Sequence, residues 1–287
     1  MKKIKIFIEL TRLNRPIGFM LLFWPCSWGL VYSSKINTSF DKFIYFLILF
    51  FLGSVLMRSA GCIINDIVDR DIDKKVNRTK LRPIASKKIS IQTSIIYATL
   101  LCLIAFLILV QFNFFTIALG MGSMILAFSY PFMKRFTYWP QLFLGITFNW
   151  GILMAFAAVN NYLDVEILLI YFSAIFWTLG YDTIYGAQDI FDDEIIGLKS
   201  TSIKFKKNPY KFLTLCYAVF LFIILTIGLL MSLNELFYIV FIIIFLQMFY
   251  FQIKKLNIKN NLNCLKIFKS NNFLGLLVFL GLVAGKI

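Results

Sequence analysis

The sequence predicts an all-α, polytopic membrane protein with about nine transmembrane helices. Three observations carry this expectation. Hydrophobic residues make up 60% of the chain, 33 of its 287 residues are Phe, and the mean hydropathy is +0.81. A soluble domain of this length could not bury so much apolar surface. Apolar runs of spanning length recur from one end to the other, and the loops between them alternate between basic and nearly uncharged.

The spans fall near 16–33, 43–64, 93–111, 114–132, 141–158, 166–187, 210–232, 235–252 and 271–286. Before the first, Met1-Lys2-Lys3-Ile4-Lys5 carries a signal-like charge. No small-residue cleavage site follows, and Trp24, Pro25 and Trp28 interrupt the apolar stretch, so a retained helix is expected. The N-terminus carries Lys2, Lys3, Lys5, Arg12 and Arg15, and the loop after the second span carries Arg70, Lys74, Lys75, Arg78, Lys80, Arg82, Lys87 and Lys88. Lys134 and Arg135 follow the fourth span. Lys199, Lys204, Lys206, Lys207 and Lys211 follow the sixth, and Lys254, Lys255, Lys259, Lys266 and Lys269 follow the eighth. Those residues are 25 of the 29 cations and all fall on one face. The opposite loops keep Lys35, Lys42 and Lys286, and Arg58 lies inside a span. The positive-inside rule puts the crowded face, with the N-terminus, in the cytoplasm and the C-terminus outside. Topology therefore explains the net charge of +15 without nucleic acid. Nothing in the sequence calls for an obligate protein partner. Cys26, Cys62, Cys102, Cys216 and Cys264 have no metal-ligand spacing and read as packing residues. With no histidine, His-ligated haem and metal centres are excluded.

Nine of the 14 acidic residues sit in two short windows on the cytoplasmic face. The first contains Asn65, Asp66, Asp69, Asp71 and Asp73, the second Asp182, Asp189, Asp192, Asp193 and Glu194. Carboxylates crowded beside a bilayer repel one another and need a compensating cation. On a helix, Asn65, Asp69 and Asp73 share one face with Asp66 beside it, and Asp182, Tyr185, Asp189 and Asp193 share another. Two such stripes facing each other could hold Mg²⁺ between them at the mouth of a membrane cavity, and Mg²⁺ on a few carboxylates commonly holds phosphate. The bland alternative is a solvated loop in which these acids pair with Arg70, Lys74 and Lys75. Arg78, Arg82 and Lys199 could neutralise a diphosphate, and Lys134 and Arg135 could reach an anion. Arg58 carries a costly charge inside the second span, which favours a site role. Tyr130, Trp139 and Trp150 flank a polar loop, where interfacial anchoring explains Trp139 equally well. Asn65–Asp69 also matches Gln188–Asp192 at an offset of 123 residues, a hint of a parallel repeat of helices 1–4 and 5–8.

Asn65-Asp66-x-x-Asp69-x-x-x-Asp73 and Asp189-x-x-x-Asp193 resemble the paired motifs of the UbiA superfamily of intramembrane aromatic prenyltransferases. Four further segments resemble its 4-hydroxybenzoate polyprenyltransferase branch: Leu13-Asn14-Arg15-Pro16-Ile17-Gly18, Asn77-Arg78-Thr79-x-x-Arg82-Pro83, Tyr130 to Thr137, and Gly197-Leu198-Lys199-Ser200-Thr201. Tyr185-Gly186-Ala187-Gln188 departs from the bulkier apolar residues more usual before the second motif. The resemblance covers residues 1–287 as one integral membrane domain around a central cavity. It implies Mg²⁺ at Asn65, Asp66, Asp69, Asp73, Asp189 and Asp193, the Asp residues being catalytic. It implies substrate contacts from Asn65, Arg58, Arg78, Arg82, Lys134, Arg135, Asp182, Tyr185 and Lys199. The implied substrates are a polyprenyl diphosphate and 4-hydroxybenzoate, in a bacterial inner membrane, on the way to ubiquinone. Other acceptors, such as a naphthoate or a tetrapyrrole, remain within the superfamily's reach. An ion-coupled transporter would instead place its acids in broken helices near the midplane.

Overall fold

The computed structural model describes residues 2–34 and 39–287, so Lys35 lies outside the described residues. The helices follow in order as α1 Lys2–Thr11, α2 Ile17–Ser33, α3 Phe40–Val68, α4 Arg70–Asp73, α5 Ile91–Leu109, α6 Phe114–Phe136, α7 Pro140–Asn149 and α8 Gly151–Asn160. They continue as α9 Val165–Gly186, α10 Ile190–Ile196, α11 Thr201–Lys204, α12 Pro209–Leu230, α13 Glu235–Leu246 and α14 Asn261–Lys286. Gln247–Ile253 extends α13 as a π-helix. No strand occurs among the described residues.

Among the described residues, eight helical stretches are long and apolar enough to cross a bilayer, counting α7–α8 as one, and the 17-residue α2 supplies a ninth apolar helix. A helix stands at each of the nine expected spans. Two differ in detail, and one further helix precedes them. The last helix begins at Asn261, ten residues earlier than expected, because the Asn260 side chain accepts from the Asn263 backbone N–H and caps it. Lys266 and Lys269 therefore sit on a helix and not in a loop. The fifth span is divided at Trp150. Ahead of the first span, α1 is a separate amphipathic helix. Its Leu10 is fully buried beside Ile63, Ile84 and Ala98, which ties α1 to α3, α5 and the long loop between them.

The core is built around α2, which packs on α3, α8 and α14. Gly29 permits a close approach to backbone: a Cβ there would lie 2.5 Å from the Ile152 carbonyl oxygen of α8. Trp28 stacks against Trp177 at 4.9 Å and donates to the Gly275 carbonyl at 3.0 Å. Water cannot satisfy polar groups at this depth, so they satisfy one another. Trp177 Nε1 donates to Asn271 Oδ1, Gln252 Nε2 donates to the same oxygen, and Tyr217 donates to Gln252 Oε1. This network joins α9, α12, α14 and the π-turn.

Gly29→Val should lower the detergent melting temperature through overpacking of about 1–3 kcal/mol. Gly122→Ala, at a glycine with open space around it, should leave melting unchanged or raise it. Equal behaviour of the two variants would show that the α2–α8 approach is not limiting.

Candidate active site

α3 stops at Val68, and Asp69 (φ −95°, ψ 5°) turns the chain into α4. A matching break follows α9, where Ala187–Asp189 form a 3-10 turn and Asp189 (φ −111°, ψ 2°) leads into α10. The two unbroken helical stripes expected from spacing are thus each interrupted at an Asp. The breaks fall at the first Asp of Asp69-x-x-x-Asp73 and of Asp189-x-x-x-Asp193. They still bring the two windows together. Asn65, Asp69, Asp73, Asp182, Asp189 and Asp193 all line one cavity of about 170 Å³.

The cations that share this cavity are Arg78, Arg82, Lys134 and Lys199. Arg78 crosses from the first window to the second: its guanidinium donates to both Asp189 oxygens, at 2.8 and 2.5 Å, and to the Tyr185 hydroxyl at 2.8 Å. Burial alone would lower its pKa, but these partners hold it above the ordinary value. The Asn77 backbone N–H donates to Asp192 Oδ2 at 3.2 Å beside it. Arg82 Nη1 donates to Asp73 Oδ2 at 2.9 Å and to Asp66 Oδ1 at 3.2 Å. Lys134 Nζ donates to Asp69 Oδ2 at 2.5 Å. Asp66, Asp69 and Asp73 are almost fully buried, so each needs such a partner. Asp71 follows the bland reading: it is exposed and pairs with Lys74 and Arg70. The Lys74 hydrogen bond holds its carboxyl below the usual range.

A second cavity of about 420 Å³ shares Asn65, Arg82, Tyr130, Pro131 and Asp182 with the first. Its remaining walls are mostly apolar side chains of α2, α3, α5, α6 and α7. Arg58 lines it, close against Gly18 and 5.3 Å from the Phe148 ring centroid. Arg58 Nε is buried with no hydrogen-bond partner. Tyr185 and Trp150 line the same space. Trp139 does not: it packs on Phe205 and Phe212 with Lys204 over its face. Arg135 lines neither cavity and donates to the Val68 carbonyl at 3.0 Å. Lys199 lines the smaller one and donates to the Phe136 carbonyl.

The donor set fits a hard divalent ion, since it consists of carboxylate oxygens and the Asn65 amide. Asp69 Oδ1 is buried without a hydrogen bond, and Arg135 Nη2 stands 3.6 Å from it. As the side chains stand, no three acidic groups among the described residues converge as an ion would require. Arg and Lys lie between them. One residue that spacing arguments passed over is Arg12. Its guanidinium meets Asp66 Oδ1 at 2.5 Å across 54 residues, and sequence reasoning had placed it only among the N-terminal cations. Nothing local in the sequence marks that pairing.

Arg82→Gln should strand Asp73 in low-dielectric surroundings and leave Asp66 to Arg12 alone, destabilising the fold by about 3 kcal/mol or more. Thermal unfolding at neutral pH checks it. An unchanged midpoint would mean that other groups neutralise the pair.

The UbiA prenyltransferase family model matches residues 22–278. Over 98% of its length the chain is 42% identical to the mitochondrial 4-hydroxybenzoate polyprenyltransferase of Bos taurus, covering 75% of that protein. It is 40% identical to 4-hydroxybenzoate octaprenyltransferase of Psychromonas ingrahamii, with 99% of this chain and 97% of that one aligned. Among solved structures, a UbiA homolog from Aeropyrum pernix K1 superposes with a TM-score of 0.74 at 23% identity, over 94% of this chain and 97% of that one. One from Archaeoglobus fulgidus, bound to GPP and Mg²⁺, superposes with a TM-score of 0.72 at 16% identity, over 97% and 99%. With its acidic motifs gathered over one membrane cavity and a family match across most of its length, the chain belongs to the UbiA prenyltransferase family.

Proposed function

We propose that this chain transfers a polyprenyl group from polyprenyl diphosphate to the ring carbon ortho to the hydroxyl of 4-hydroxybenzoate, a step of ubiquinone biosynthesis. One observation carries the reading. A small cavity walled by acids and cations opens against a larger apolar one, and the two share Asn65, Arg82, Tyr130, Pro131 and Asp182. A molecule with a charged diphosphate head and a hydrocarbon tail matches that division. The relatives that align over nearly the whole chain support the choice of acceptor.

Asn65, Asp66, Asp69 and Asp73 from the first window and Asp189 and Asp193 from the second would hold Mg²⁺. The bound ion would supply positive charge against the departing diphosphate. Arg78, Arg82, Lys134 and Lys199 bind the remaining phosphate oxygens, and the two guanidiniums can grip them bidentately. The allylic C–O bond breaks with its electron pair leaving on the diphosphate. The aromatic wall, including Tyr130 and Tyr185, faces the cationic carbon. The ring carbon ortho to the hydroxyl supplies the electron pair of the new C–C bond, and a base then takes the ring proton. Arg58 orients the acceptor carboxylate: it lines the larger cavity and carries a buried, unpartnered N–H. Arg135 is turned to the Val68 carbonyl and lines neither cavity. The prenyl tail reaches the lipid bilayer, and the site opens to the cytoplasm, as the cation distribution implies.

Membranes carrying the chain should prenylate labelled 4-hydroxybenzoate in the presence of Mg²⁺. Asp69→Ala and Asp189→Ala should each abolish transfer without loss of the inserted protein. Full turnover by either variant would refute a site built from both motifs. Arg58→Gln should raise KM for the acid about tenfold while changing KM for the donor little. Loss of donor affinity alone would instead assign Arg58 to the diphosphate. For orientation, a Cys introduced at Lys75 in a Cys-free background should resist an impermeant reagent in intact cells. Its modification from outside would reverse the topology.

A further inference from the structure

Arg12 stands at the exit of α1 in the left-handed region (φ 56°), which a residue with a Cβ adopts at a cost. That backbone turn aims a long, largely buried side chain away from the helix that carries it and toward the larger cavity, whose wall it joins with Arg82, the guanidinium that lines both cavities. There it donates to Asp66 Oδ1, the same oxygen that accepts from Arg82. One carboxylate oxygen thus holds two guanidiniums, more positive charge than Asp66 alone can balance. Arg82 has a second anchor in Asp73, whereas Asp66 is the only carboxylate paired with Arg12 among the described residues.

We propose that Arg12 is a diphosphate-binding residue of the donor site, held on Asp66 as a stand-in cation until a divalent ion replaces it there. The proposal rests on the reading of the site as a prenyl diphosphate site. A divalent ion taking Asp66 would leave the Arg12 guanidinium buried with no counter-charge. Phosphate oxygens arriving with the ion are the anion that restores balance, and a guanidinium forks naturally onto two of them. The exchange gives Arg12 effects of opposite sign on the two ligands. It competes with the bare ion for Asp66, yet it assists the diphosphate once the ion is present.

The test measures two equilibria on the purified, full-length protein, with no turnover involved. One is binding of Mg²⁺ alone. The other is binding of a non-reactive prenyl thiolodiphosphate at saturating Mg²⁺. Arg12→Gln should bind Mg²⁺ alone as tightly as the wild type or more tightly, and bind the thiolodiphosphate about tenfold or more weakly. Arg12→Lys keeps the charge and serves if the Gln variant does not fold. It should leave Mg²⁺ affinity unchanged and weaken the thiolodiphosphate several-fold, because the fork is lost. A role confined to packing α1 would weaken both ligands in parallel with a fall in melting temperature, and that result overturns the proposal. So does unchanged thiolodiphosphate binding in both variants. If the wild type itself fails to bind the thiolodiphosphate with Mg²⁺, the donor-site reading falls, independently of how the variants compare.

Discussion

Buried carboxylates that border a bilayer must be neutralised, and that constraint organises this molecule. Asp66, Asp69 and Asp73 are nearly inaccessible to solvent. Each meets a cation from a different part of the chain: Arg12 from the N-terminal helix, Arg82 from the loop after α4, and Lys134 from the end of α6. Arg78 makes the corresponding contact to Asp189 in the second window. These ion pairs are expensive to bury and gain little as mere structural links. In the proposed function they prepare oxygens and guanidiniums that metal and phosphate would rearrange without introducing a net charge.

The apolar scaffold supplies the precision this arrangement needs. Small residues let helices approach closely, as at Gly29 against Ile152 and Gly275 against Trp24. The buried polar cluster of Trp177, Asn271, Gln252 and Tyr217 fixes α9 relative to α12 and α14, and α9 carries Asp182 and Tyr185. Farther along, the Thr201 backbone N–H donates to Gln141, and Ser202 donates to the Thr183 carbonyl. Those bonds clamp the Lys199 segment against α7 and α9. Gly186 belongs to the same clamp, since a Cβ there would come within 2.6 Å of Ser202 Oγ. This contact accounts for a small residue at a position where a bulkier one was expected.

The nine spans were legible because lipid imposes one simple rule, a run of apolar residues long enough to cross. The convergence of the acidic windows was legible too, since both lie at helix ends on the basic face. Long-range partnerships were not. Arg12 pairs with Asp66 through a left-handed turn that no local motif announces, and only the surroundings place Arg58 on the larger cavity and Arg135 outside both. The helix breaks at Asp69 and Asp189 were also hidden, because spacing counts residues along an ideal helix and cannot see where it stops.

The claim on which the account depends is that both acidic windows hold one donor diphosphate through divalent ions. Electron paramagnetic resonance with Mn²⁺ in place of Mg²⁺, and a prenyl thiolodiphosphate bound, tests it directly. The account predicts phosphorus hyperfine coupling to protein-bound Mn²⁺ that is lost in Asp69→Ala and also in Asp189→Ala. Coupling that persists unchanged in either variant, or is absent from the wild type, would contradict it.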